Sequence, residues 1–74
     1  MSEKVFKEKR NFVELALTHL CKSINEEISC LEYVNDERNN EEYVIVHYYN
    51  GSKIMICVTG DSLKAIIYDV LKRV

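Results

Sequence analysis

The sequence has no proline and no tryptophan, only two glycines and three cysteines, and no apolar run near the ~20 residues that a membrane-spanning helix needs. Without proline there is no polyproline segment and no Pro-rich linker. The cysteines, Cys21, Cys30 and Cys57, are odd in number, widely spaced and form no Cys-x-x-Cys pair. That pattern argues against the disulfide framework of a secreted mini-protein and fits thiols in a reducing cytoplasm. No basic start leads into an apolar stretch, so no signal peptide is expected. Gly51 and Gly60 are too far apart for a phosphate-binding loop, and there is no Gly-x-Ser-x-Gly elbow.

What remains is globular: 47% hydrophobic and 30% charged over 74 residues, read as one domain 1–74, with 1–10 either frayed or an extension of the first helix. A chain this short buries only about 60% of the surface that it exposes when unfolded, so association with a second subunit is the expected aid to its core. The net charge of −2 is unevenly spread. Residues 1–10 carry Lys4, Lys7, Lys9 and Arg10, residues 26–42 are strongly acidic, and the chain turns mildly basic again from Lys53. Such runs read first as solvated faces, and second as a basis for head-to-tail or antiparallel pairing with another copy or a partner.

Val13, Leu17, Leu20, Ile24, Ile28 and Leu31 recur at helical spacing and predict a first helix ending near Ile28. Asn11 with Glu14 forms a candidate capping box, and Ser2 is a rival start. Three strand candidates follow, Cys30–Asn35, Tyr43–Tyr49 and Ser52–Thr59. Asn50-Gly51 between the last two suits a two-residue type I′ turn. Leu63, Ile66, Ile67, Val70, Leu71 and Val74 then mark a final helix, capped by Asp61 or Ser62. The expected fold is α+β, in the order α-β-β-β-α: a three-stranded antiparallel sheet with two helices packed on one face.

A two-residue turn places His47 opposite Ile54 and Ile45 opposite Ile56, so Ile45, Ile54, Ile56 and Val58 form the side expected beneath the helices. Val44, Val46, Tyr48, Lys53, Met55 and Cys57 then form the uncovered side and the candidate interface. The competing arrangement sandwiches the sheet between its helices. The same register separates His47 from Cys57, the one conceivable nucleophile–base pair. Cys21 and Cys30 read as small core residues near the helix end, and His47 as a partly buried, hydrogen-bonded side chain. Neither His19 nor His47 has metal-ligand spacing to a second ligand. No catalytic, cofactor or metal site is therefore expected. Tyr33, Tyr43, Tyr48, Tyr49 and Tyr68 read mainly as packing groups at the edge of the core.

The element order from Asn11 to Val74 resembles the double-stranded-RNA-binding domain. That family begins its second helix with Lys-Lys-x-Ala-Lys; with the alanine on Ala65, its lysines fall on Ser62, Leu63 and Ile66. Its Gly-Pro-x-His loop corresponds to the segment from Asp36 to Glu42, which would repel phosphates. The resemblance implies the fold and not the activity. The tail from Ile56 to Ala65, with Tyr68-Asp69-Val70-Leu71, is similar to short proteins of bacterial prophages and integrative elements, and the Lys-, Asn-, Ile- and Glu-rich usage suits an AT-rich bacterial genome.

The function expected is a non-catalytic cytoplasmic interaction module, a homodimer that binds a macromolecular partner through its sheet face or acidic loop, away from membranes. The alternative is a degenerate nucleic-acid binder using Lys4, Lys7, Lys9 and Arg10 with Lys64, Lys72 and Arg73.

Overall fold

A computed structural model describes residues 2–74, and the side chains of residues 4–74. A continuous N-terminal helix comes first, made of α1 (Ser2–Asn11), a π-helical segment (Phe12–Leu17) and α2 (Thr18–Ile24). Strands β1 (Ile28–Asp36), β2 (Glu41–Tyr48) and β3 (Lys53–Cys57) form an antiparallel sheet in the order β1-β2-β3, and α3 (Leu63–Arg73) ends the chain. Both helices bury side chains against the same face of the sheet, giving the α+β fold expected. No helix among the described residues is long and apolar enough to cross a membrane.

The helix starts at Ser2, and whether the Ser2 side chain caps it lies outside the described residues. Asn11 is not a cap: it sits in helical backbone with φ −59° and ψ −44°. The π-helical segment also corrects the expected stripe. An i→i+5 turn takes more residues per revolution than an α turn, so residues four apart stay aligned, and Lys9, Val13, Leu17 and Cys21 face the sheet. Leu20 and Ile24 are turned outward, 43% and 57% exposed. The helix ends at Ile24, and Ile28 and Leu31 enter the core from β1 instead.

Two helical side chains close the outer edge of β1. Thr18 Oγ1 accepts from the Leu31 N–H (3.0 Å) and donates to the Val13 carbonyl (3.1 Å), while Glu14 Oε2 accepts from the Tyr33 N–H (3.1 Å). Backbone donors that an edge strand would leave open are thus satisfied. In the turn between β1 and β2, Asn40 takes a left-handed φ of 58°, and Asp36 Oδ1 accepts from the Arg38 N–H.

The hairpin between β2 and β3 departs from the expected turn. Tyr48 N–H donates to Ser52 O (2.9 Å) and Gly51 N–H to Tyr48 O (3.0 Å), so Tyr49, Asn50 and Gly51 make a three-residue loop. Only Gly51 has a positive φ, +92°; the Asn50 side chain instead accepts from the Ser52 N–H and hydroxyl. This is a type I turn closed by a glycine bulge, one residue longer than a type I′ turn. The pairing therefore shifts by one: Val44 faces Ile56, Ile45 faces Met55 and Val46 faces Ile54. A one-residue shift exchanges the partners across the hairpin, and Val44 and Val46, not Ile45, join Ile54, Ile56 and Val58 beneath the helices.

Candidate functional site

The register leaves one face of the sheet without a helix. Cross-strand rows build it: Cys30–His47–Lys53, Glu32–Ile45–Met55 and Val34–Tyr43–Cys57. Met55 is 57% exposed, and both Cys30 and Cys57 are exposed free thiols. His47 Nε2 lies 3.0 Å from Glu32 Oε1, a half-open polar contact at one end of an otherwise mainly apolar surface. A β1 bulge between Ile28 and Cys30 sets which residues of that strand face outward.

Three residues of the expected interface, Lys53, Met55 and Cys57, lie on this open face. The others do not. Val44 and Val46 are 0% exposed in the core, and Tyr48 packs against the same cluster, because the glycine bulge reversed their side of the hairpin. Cys30 is likewise outside the core, while Cys21 is within it, where burial raises its thiol pKa. His47 and Cys57 share a face after all, but they stand two rows apart, so they remain separated along the strands. Cys30 is the cysteine directly across from His47. Of the tyrosines, Tyr33 is buried, while Tyr49 and Tyr68 are exposed.

Beneath the sheet lies a polar cluster that periodicity gave no sign of. Glu42, at the start of β2, is 6% exposed and Lys9 is 8% exposed. Lys9 Nζ donates to Glu42 Oε1 at 2.7 Å, the Tyr33 hydroxyl donates to the same oxygen at 2.6 Å, and the Gly60 N–H donates to Oε2 at 3.0 Å. Burial pushes the Glu42 pKa up, but these donors outweigh it and hold the carboxyl below its usual range. Tyr33 titrates well above its usual range through burial, then through its bond to Glu42 and the Glu42 charge. The cluster ties the N-terminal helix, β1, β2 and the loop before α3 to one carboxylate. Three strong donors on one buried acceptor are a structural clamp.

Next to it, Asp61 faces Asp69 of α3. Asp61 Oδ2 is buried and meets no hydrogen-bond donor among the described residues. Burial, then the neighbouring Asp69, pushes the Asp61 pKa up to about 6. Two carboxylates can bond only by sharing a proton. Among the described residues no group of three or more His, Cys, Asp or Glu side chains could hold a metal ion.

No protein-family model matches this chain, and neither a curated protein nor a solved structure matches it.

Proposed function

We propose that this protein is a non-catalytic interaction module that self-associates, and that it binds a macromolecular partner through the open face of its sheet. The observation that carries this reading is that face: Met55, 57% exposed, lies beside the half-buried Val34 and the largely shielded Ile45, flanked by two exposed thiols and a charged rim of Glu32, His47 and Lys53. An apolar centre within a polar rim is the composition of protein-contact surfaces. Exposed thiols suit a reducing cytoplasm, the proposed location. Nucleic-acid binding has less support, since Lys9 is committed to Glu42, and Glu37 in the β1–β2 turn and Glu41 at the start of β2 add negative charge there.

Equilibrium sedimentation from about 10 to 500 µM tests self-association, the expected result being a mass that rises with concentration. A monomer throughout that range would remove self-association from the proposal. Duplex RNA or DNA at about 50 mM salt is the discriminating control, and a shift that weakens steeply with added salt would favour the nucleic-acid reading instead.

A further inference from the structure

The sheet has two edges, and they are treated differently. Glu14 and Thr18 bond the outward N–H groups of Tyr33 and Leu31, so β1 is sealed by its own helix. Among the described residues, no side chain covers β3 in this way. The Tyr48 N–H bond to Ser52 and the Val58 N–H bond to Glu42 show that even-numbered residues of this hairpin turn their peptide groups toward each other. In an antiparallel pair these orientations alternate, so Lys53, Met55 and Cys57 direct their N–H and C=O groups away from β2, into the open. Unpaired edge groups of this kind specify an extended strand as their occupant.

We infer that the occupant is β3 of a second copy, paired antiparallel about a two-fold axis at Met55. This rests on the self-association proposed above and names the surface that performs it. The strand is suited to pair with itself. Its outward-directed residues are symmetric about Met55, so Met55 meets Met55 and Lys53 meets Cys57, each pair exchanging N–H and C=O. The two Lys53 ammonium groups start about 13 Å apart along the strand direction, four residues at roughly 3.3 Å each, and do not oppose one another. The two open faces then merge into one six-stranded surface with paired Met55 side chains at its centre. That shared surface is twice as wide as either copy's own, and it is the one offered to the macromolecular partner.

Amide hydrogen exchange at low and high protein concentration tests this alongside sedimentation. The expected result is that the Lys53, Met55 and Cys57 amides exchange fast when dilute and slow by at least about tenfold when concentrated, while other surface amides do not change. Met55→Pro removes an N–H that no intrachain ladder bond uses, at a position where an edge strand accepts proline. It should weaken dimerisation at least about tenfold with an unchanged far-UV spectrum, whereas Val34→Lys, on the open face and far from this edge, should still dimerise. A dimer whose three amides stay unprotected, or one that Val34→Lys abolishes and Met55→Pro spares, overturns the edge pairing and leaves self-association standing. A monomer at every concentration overturns both. If Met55→Pro fails to fold, exchange of the unmodified protein decides alone.

Discussion

Replacing Asp61 by asparagine should make this protein more stable at neutral pH, and only there. Asp61 has a folded pKa of about 6 against a reference value of 3.8. The folded protein therefore holds the proton more tightly than the unfolded chain does. Between about pH 4 and 6 folding takes up a proton, and stability falls as pH rises through that window. Below it the Asp61–Asp69 pair shares a proton at no cost. Above it both carboxylates are charged at close range, with Glu42 adding to the repulsion and Lys9 opposing it. Lys72, 3.9 Å from Asp69, relieves only the outer member of the pair. The difference between the folded and reference pKa values corresponds to at most about 3 kcal/mol. Asp61 is only partly buried, and solvent screening brings this nearer to about 1 kcal/mol. Asparagine keeps the shape and offers Asp69 an N–H at every pH, although losing a negative charge ahead of α3 returns a few tenths of a kcal/mol.

Urea unfolding at half-unit intervals from pH 4 to 8 provides the assay. The unmodified protein should lose about 1 kcal/mol between pH 4.5 and 6.5 and then level off. Asp61→Asn should show no such decline and should unfold at a higher midpoint at pH 7.5. A variant with the original pH profile, or one less stable at pH 7.5, would refute the shared-proton account. Glu42 acts in the opposite sense. Its folded pKa lies below its usual value, so the stability it contributes is present above the unfolded pKa and is lost as pH falls through the folded one. Together the two carboxyls place maximal stability in the mildly acidic range.

Lys9→Met should cost about 3 kcal/mol at pH 7, because it leaves the buried Glu42 carboxylate without its cation; urea midpoints should show a smaller loss as pH falls and the carboxyl takes up a proton. Thr18→Val keeps the side-chain shape but leaves the Leu31 N–H without its acceptor, which should cost about 1–2 kcal/mol and speed exchange of the Leu31 amide.

Element order was legible because Tyr43–Tyr49 is rich in β-branched and aromatic residues and leads into Asn50-Gly51, and because Leu63–Val74 carries a period of 3.6 that tertiary context did not override. The candidate site was less legible, and one residue accounts for the difference. Asn-Gly fits both a type I′ turn, with two left-handed residues, and a type I turn with a glycine bulge, with one. Asn50 chose between them by bonding Ser52, a local preference that hydrophobic alternation does not report. Since both sides of the hairpin are apolar, the pattern could not correct the register either. The stripe of the first helix failed for a related reason: spacings of three and four assume α geometry, and the π-helical turn at Phe12–Leu17 re-phases everything beyond it. Lys9 and Glu42 gave no signal at all, being two charges 33 positions apart that only the fold brings together.

The contacts of Glu14 and Thr18 with β1 also bear on how large an assembly this sheet can make. A sheet open at both margins can recruit chains without limit and grow into a fibre. Here one margin is shut by the chain's own helix, so a copy that docks strand to strand presents a shut margin at each end of the joined sheet. With the edge pairing inferred above, growth stops at two. The same two side chains that steady a single subunit thereby act as a stopper against polymerisation.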